Sequence, residues 1–282
     1  MIQRTPLVCT TSRSDGIQAA GGGTTAKAGP NIVPAAGRAP ALAAHGITMS
    51  YGSVEALRGV DLEIHSGEVH ALVGDNGAGK STLLKVMAGA ILPTGGQLSM
   101  DGQPIHLQSP IDAREMGIET VYQDLALAGD RSAAANVYLG REVMRPGLLG
   151  KLGVLDRKAM AARVTAKFAE LDVPITDVSR RVNELSGGQR QGVAIARAAI
   201  WATKVVLLDE PTAALGVRQR SAVESLIRKL RERGLAVVLV SHQIPEVLSI
   251  SDRVTVLRLG QNAGTRSTGE VDVSWIVATI VG

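Results

Sequence analysis

From about Leu42 onward, short apolar runs alternate with segments whose apolar residues recur at helical spacing. The clearest unit begins with the run Val69–Val73, which predicts a buried strand, and continues into a glycine-rich turn at 74–79. The segment Lys80–Ala88 follows and predicts a helix. This alternation is typical of an α/β fold in which helices cover a mainly parallel sheet.

Two further strands and a helix are predicted in the second half of the chain. Val205–Leu208 and Leu235–Val240 are apolar runs short enough to be buried strands. Between them the chain has the spacing of an amphipathic helix, which Gly234 ends. The inward side chains of this helix are Val223, Leu226, Ile227 and Leu230.

From about 125 to 190 the strand-like runs disappear and the pattern becomes helical. Asp156 has the position of an N-cap, and the residues after it form one apolar helical face. That face consists of Met160, Val164, Phe168 and Leu171. The sequence therefore predicts a helical subdomain inserted into one domain that spans residues 41–282.

Residues 1–40 are rich in Gly, Ala, Ser, Thr and Pro and lack helical or strand periodicity, which predicts a disordered extension. This segment carries four basic residues and one acidic residue, so it holds most of the net charge of +4. The remainder is nearly neutral, and aromatic residues make up 2% of the chain. Neither property favours nucleic-acid binding.

Two other classes of protein are excluded by composition. The longest apolar runs are far shorter than the roughly 20 residues that a membrane-spanning helix needs. The single cysteine, Cys9, excludes an intramolecular disulfide and fits a reducing compartment. We therefore expect a soluble or peripheral protein.

Residues 74–81 have the spacing of a phosphate-binding loop, Gly-Asp-Asn-Gly-Ala-Gly-Lys-Ser. Its glycines let backbone N–H groups surround phosphate oxygens, and the next helix directs its positive end at them. Lys80 is expected to reach the outer phosphates and Ser81 to hold Mg²⁺. The candidate binding residues are Gly74, Asp75, Asn76, Gly77, Ala78, Gly79, Lys80, Ser81 and Thr82.

The strand Val205–Leu208 leads directly to Asp209 and Glu210, where a parallel sheet has its binding crevice. Adjacent side chains on a strand point apart, so Asp209 can hold the metal shell while Glu210 orients or deprotonates the attacking water. A strand that ends in two solvated acids is the alternative.

The sequence Leu185, Ser186, Gly187, Gly188, Gln189 precedes another helical pattern. Ser186 and Gln189 have the spacing of a capping box. Two glycines in a first helical turn are unfavourable unless the backbone approaches another group closely. The alternatives are a second anion site and an ordinary capped helix.

Taken in this order, the phosphate loop, the Leu-Ser-Gly-Gly-Gln segment and the strand ending in Asp-Glu resemble the ATP-binding cassette family over residues 42–262. The resemblance implies a P-loop NTPase fold with an N-terminal antiparallel β subdomain. It also implies that Tyr51 stacks on adenine, that Gln123 contacts Mg²⁺, and that His242 contacts the terminal phosphate and positions Glu210. Lys80, Glu210 and His242 are then the catalytic residues, and Ser81, Gln123 and Asp209 the metal ligands.

The local segments 121–127 and 241–246 resemble those of single-cassette subunits of bacterial monosaccharide importers. The implied cofactors are ATP and Mg²⁺. The implied partners are a second cassette, preferably an identical copy rather than a different chain, transmembrane permease subunits and, indirectly, an extracytoplasmic solute-binding protein. The resemblance implies a peripheral location on the cytoplasmic side of the inner membrane.

One segment departs from the family pattern, since Gly216 stands where an aspartate is usual and weakens any role of this loop between cassettes. Chromosome-type cassettes have long heptad insertions, and translation-associated cassettes are paired within one chain. Neither feature occurs here. A P-loop GTPase or kinase leaves Leu185–Gln189 unexplained, and a regulatory module requires an idle Lys80 or Glu210.

Overall fold

The computed structural model describes residues 39–282, and the predicted disordered segment lies outside these residues except at its last two positions. The strands of the described part are β1 Leu42–Tyr51, β2 Val54–Ile64, β3 Val69–Val73, β4 Gly95–Met100, β5 Gln103–Ile105, β6 Ile118–Val121, β7 Val205–Asp209, β8 Ala236–Val240, β9 Arg253–Arg258 and β10 Gln261–Ser267.

The helices of the described part are α1 Lys80–Met87, α2 Pro110–Glu115, α3 Ala133–Val137, α4 Leu148–Lys151, α5 Arg157–Glu170, α6 Gly187–Trp201, α7 Val217–Glu232, α8 Ile244–Ile250 and α9 Val273–Val281. Short 3-10 turns cover Val182–Glu184 and Thr268–Glu270. None of the helices in residues 39–282 has the length and hydropathy to cross a membrane.

The larger sheet has six strands in the order β10-β9-β3-β8-β7-β6. All neighbouring strands in it pair in parallel except β9 and β10. Every residue of β3, β7 and β8 is buried, which explains why these strands are continuous apolar runs. The three strands predicted from the hydrophobic pattern are therefore confirmed.

The second sheet has the order β2-β1-β4-β5 and is antiparallel throughout. It confirms the antiparallel N-terminal part of the expected fold. A shared core of side chains joins this sheet to α1 and to one face of the larger sheet. This core includes Leu57, Leu72, Leu83 and Leu207. This packing fixes the start of α1 between the two sheets.

Between β6 and α6 the chain forms α3, α4, α5, the 3-10 turn Val182–Glu184 and isolated bridges, but no strand. Asp156 Oδ1 accepts a hydrogen bond of 2.9 Å from the N–H of Ala159, as the predicted N-cap requires. Met160, Val164, Phe168 and Leu171 are buried against α3 and α6. The amphipathic pattern of α5 is thus satisfied by helix packing.

Candidate functional site

The turn from β3 to α1 requires glycine at two positions. Gly74 has φ +150, and a Cβ there would lie 2.2 Å from the carbonyl oxygen of Leu257 in β9. Gly79 has φ +102, and its Cβ would lie 2.7 Å from the carbonyl oxygen of Ala56 in β2. The loop backbone is therefore held between the two sheets at distances that side chains exclude.

Lys80 lies at the start of α1 and is buried. Its Nζ donates to the carbonyl oxygens of Gly74 at 2.7 Å and Asp75 at 2.9 Å, so the ammonium group lies across its own loop. Burial lowers the pKa of Lys80, and the charges of Glu210, Asp75 and Asp209 oppose this shift. The next two residues of α1 are the exposed Ser81 and the half-buried Thr82.

Asp209 is the last residue of β7 and only 8% exposed. Burial raises the pKa of this carboxyl and the charge of Glu210 raises it further, while Lys85, a hydrogen bond from Ser81 and Lys80 oppose the rise. A cation beside Asp209 would favour its ionised form for the same electrostatic reason. The oxygen donors of Asp209 and Ser81 are of the type that Mg²⁺ prefers.

Glu210 lies after the end of β7 and has a left-handed backbone with φ +49. Its N–H donates to the carbonyl oxygen of Val240 at 2.9 Å, which holds the turn against the end of β8. Glu210 therefore lies in the turn after the strand, and the strand alternation that was expected to part the two carboxylates does not apply to it. Glu210 Oε1 is 3.3 Å from His242 Nδ1, and His242 follows β8.

Most of the predicted site residues line one open cavity of about 1070 Å³. Tyr51 is 48% exposed and is the last residue of β1, beside the turn into β2. The cavity is bordered by the phosphate loop and by Tyr51, Gln123, Glu210 and His242. Asp209 is not among the described residues that line the cavity.

Three apolar residues of α9 also line this cavity and were missed by the sequence analysis. They are Val277, Ile280 and Val281. The apolar pattern of 273–281 could have predicted the helix, because its mean hydropathy is high. It could not have predicted the location, which depends on the packing of α9 against β9 and β10.

The Leu185–Gln189 segment lies apart from this cavity. Ser186 caps α6, because its Oγ accepts from the N–H of Gln189 at 3.3 Å and its own N–H donates to Gln189 Oε1 at 3.0 Å. Leu185 is buried, Ser186 and Gly187 are exposed, and a Cβ on Gly188 would lie 2.7 Å from Gln219. These five residues belong to the part of the chain that the structure describes, and none of them lines the cavity that contains Lys80.

Gly216 precedes the first turn of α7 and offers no side chain to cap it. Gln219 Oε1 instead accepts a hydrogen bond of 3.3 Å from the N–H of Gly216. In the segment that departs from the family pattern, the N–H of Gly216 is therefore satisfied by the side chain of a residue three positions later.

Comparisons with known proteins identify the family. The ABC transporter family model matches residues 57–213. The fructose import ATP-binding protein of Rhizobium meliloti is 46% identical over 245 residues, which cover 86% of this chain and 94% of that protein. A ribose import ATP-binding protein of Escherichia coli is 40% identical over 224 residues, which cover 79% of this chain but only 43% of that protein.

The fold agrees with solved structures. A dimeric bacterial ABC transporter cassette has a TM-score of 0.66 and 27% identity, with 80% of this chain and 98% of that chain covered. The predicted P-loop NTPase fold is thereby confirmed. The chain belongs to the ATP-binding cassette family of transporter proteins.

Proposed function

We propose that this chain is the ATP-binding and ATP-hydrolysing subunit of an importer for a monosaccharide. One observation carries the catalytic part of this proposal: the phosphate loop, Gln123, Glu210 and His242 line a single cavity. The relatives named for fructose and ribose import support the sugar.

The cavity suits a nucleoside triphosphate with Mg²⁺. The phosphates would lie on the N–H groups of the loop and on the positive end of α1, with Lys80 turned towards the outer phosphates. The adenine would stack on the exposed ring of Tyr51. Ser81, Gln123 and Asp209 would supply oxygen ligands to Mg²⁺, which neutralises phosphate charge when it is bound.

The reaction is the attack of water on the terminal phosphorus, with cleavage of the bond to the bridging oxygen and release of ADP and phosphate. Glu210 would orient this water and accept its proton. His242 would hold the Glu210 carboxylate through the 3.3 Å contact and reach the terminal phosphate with its other ring nitrogen. Lys80 would offset the charge that accumulates on the transferred group.

Ser186 does not line this cavity, which favours a composite site. Ser186 is exposed at the capped start of α6, where free N–H groups can bind an anion. In a head-to-tail dimer, this helix start would close over the nucleotide that is held by the partner. We infer a homodimer because one chain carries both halves of the site, and a different cassette chain is the alternative.

The remaining assignments concern the setting of this subunit. The dimer would associate with transmembrane permease subunits on the cytoplasmic side of the inner membrane, and a solute-binding protein would deliver sugar to the outer side. The cassette would extend over residues 41–282, with its helical subdomain at about 125–190. No nucleic-acid partner is proposed.

The proposal is tested by measuring ATP hydrolysis at increasing protein concentration, with Glu210→Gln and Glu115→Gln in parallel. We expect the rate per chain to rise with concentration, because the site needs two copies. Glu210→Gln removes the proton acceptor, so hydrolysis should fall by about a hundredfold or more while ATP binding is retained. Glu115 is exposed in α2 and serves as the matched control.

Size-exclusion chromatography with ATP adds an independent result. The Glu210→Gln chain should accumulate as an ATP-bound dimer, because it binds without turning over. Hydrolysis by Glu210→Gln at the rate of the unmodified chain would contradict the role of Glu210. A rate per chain that is independent of concentration, with a monomeric Glu210→Gln chain, would contradict the composite site.

A further inference from the structure

A second carboxylate lies close to the Glu210 and His242 pair and is deeply buried. Glu246 is in the first turn of α8, four residues after His242, and is 5% exposed. Its Oε2 accepts a hydrogen bond of 2.7 Å from Thr212 Oγ1 and one of 3.2 Å from Ser241 Oγ. Ser241 Oγ also accepts from the N–H of Gln243 at 3.1 Å.

These two hydroxyls belong to the two segments that carry the proposed catalytic pair. Thr212 is two residues after Glu210, and Ser241 directly precedes His242. The paired register of β7 and β8 ends at Asp209 and Val240, so both segments have left the sheet at this point. A single carboxylate therefore connects them beyond the last paired residues of the strands.

The burial of Glu246 is unfavourable for stability alone. Its Oε1 has no hydrogen-bond partner within residues 39–282, although it is shielded from water. A buried carboxylate with an unsatisfied oxygen costs free energy that an apolar side chain of similar size would not. Departures of this kind from packing for stability alone are expected at functional sites.

We propose that Glu246 is a positioning residue for ATP hydrolysis, acting through Thr212 and Ser241 to hold Glu210 and His242 at their contact distance. This inference rests on the proposed function, since it concerns the same site. Glu246 itself does not touch the substrate. Its loss would shift the two segments relative to each other, and a displacement of about 1 Å can slow a reaction by up to a hundredfold.

The test compares three threonine variants in the full-length chain. Thr212→Val removes the hydroxyl at nearly constant volume, and Thr212→Ser keeps it. Thr255→Val is the matched control, because Thr255 is also buried and bonded to a polar side chain, His70 Nε2 at 2.8 Å, but lies in β9 outside the cavity. For each variant, kcat, KM for ATP and the thermal unfolding midpoint are measured.

We expect kcat of Thr212→Val to fall by about tenfold or more, with KM changed by less than about twofold. Thr212→Ser should restore kcat to within about twofold of the unmodified chain. Thr255→Val should lose thermal stability like Thr212→Val but keep its kcat. This pattern separates positioning from a general loss of structure.

A Thr212→Val chain with unchanged kcat would overturn the role of Glu246, and so would an equal fall in kcat for Thr255→Val. If Thr212→Val does not fold, Glu246→Leu is measured instead, since it nearly keeps the volume and removes the acceptor of both hydroxyls; unchanged kcat there also overturns the inference. Absence of hydrolysis by the unmodified chain would overturn the proposed function first. If the unmodified chain hydrolyses ATP normally, a negative result for the variants contradicts only the role of Glu246.

Discussion

His70 lies in the middle of the larger sheet, with no exposed surface, and both of its ring nitrogens have partners. Nδ1 is 3.2 Å from Glu68 Oε1, and Nε2 is 2.8 Å from Thr255 Oγ1. Burial lowers the pKa of His70 below its ordinary 6.5 and Arg253 lowers it further, while the bond and charge of Glu68 oppose the shift. The imidazole is therefore neutral in the folded chain at neutral pH.

This burial predicts a loss of stability on acidification. Below pH 6.5 the unfolded chain binds a proton at this histidine more readily than the folded chain does, so the free energy of unfolding falls as the pH falls. The contribution reaches at most about 1.4 kcal/mol per pH unit. Urea unfolding of the unmodified chain and of His70→Gln between about pH 5 and 7 measures it.

We expect the His70→Gln chain to show a flatter dependence on pH in this range. Glu68 of the unmodified chain does not titrate in this range, because its pKa is lowered from 4.5: burial raises it, but the hydrogen bond with His70 and the charge of Arg253 outweigh burial. That contribution is lost only at lower pH. A glutamine at position 70 can still donate a hydrogen bond to Glu68 through its amide group. His45→Gln, at an exposed position of β1, is the control, and equal slopes for all three chains would contradict the prediction.

Candidate site residues could be proposed from the sequence where the signal is local. Lys80 and Ser81 follow the glycines of their loop, and Asp209 ends an apolar strand. The partners of His70 could not be predicted, because Thr255 is 185 residues away and meets it only through the parallel pairing of β3 and β9. The contact of Glu246 with Thr212 was missed for the same reason, since it spans 34 residues.

At the scale of elements, the loop after Gln123 is held by α6. Leu125 and Ala126 have left-handed backbones with φ +62 and +44, which is unfavourable for residues with a Cβ. Arg197 of α6 donates to both of their carbonyl oxygens, at 3.1 Å for Leu125 and 2.9 Å for Ala126. The two hydrogen bonds of one guanidinium thus offset the strain of the loop.

Arg197→Lys should loosen this loop, because an ammonium group cannot make the two-pronged contact. A loss of about 2 kcal/mol corresponds to roughly thirtyfold faster opening of the amides that the loop protects. Those amides include Leu125, bonded to Tyr122 O at 2.9 Å, and Ala128, bonded to Asn136 Oδ1 at 2.7 Å. Hydrogen exchange of the peptide 122–130, measured by mass spectrometry, reports this faster opening of the loop.

Arg163→Lys provides the comparison for that experiment, since Arg163 is exposed in α5. Its peptide 122–130 should exchange as in the unmodified chain. If Arg197→Lys also leaves the exchange unchanged, the guanidinium does not hold the loop.

Helix starts were predicted well because capping is local. Asp156 and Ser186 both accept from the N–H three residues ahead, as their spacing indicated. The end of β7 was predicted less well. The turn at Glu210 depends on the hydrogen bond to Val240, which belongs to another strand.

At the scale of the whole molecule, the proposed composite site has two halves that one chain does not bring together. The cavity contains Lys80 and Glu210, and the exposed Ser186 lies outside its lining. If the halves meet only between copies, two different defects should complement each other. Lys80→Ala disables the cavity, and Ser186→Arg blocks the helix start that closes over the partner's nucleotide.

Each of these two variants should be inactive alone, because every dimer then has two defective sites. In an equal mixture, half of the dimers pair the two variants, and each such dimer has one intact site formed by the cavity of one chain and the helix start of the other. ATP hydrolysis should therefore recover to about a quarter of the unmodified level.

A mixture of Lys80→Ala with Glu210→Gln should recover nothing, because both changes disable the same cavity. Absence of recovery in the first mixture would mean that identical copies do not share the site, since a site built within one chain has either a defective cavity or a defective helix start in every copy.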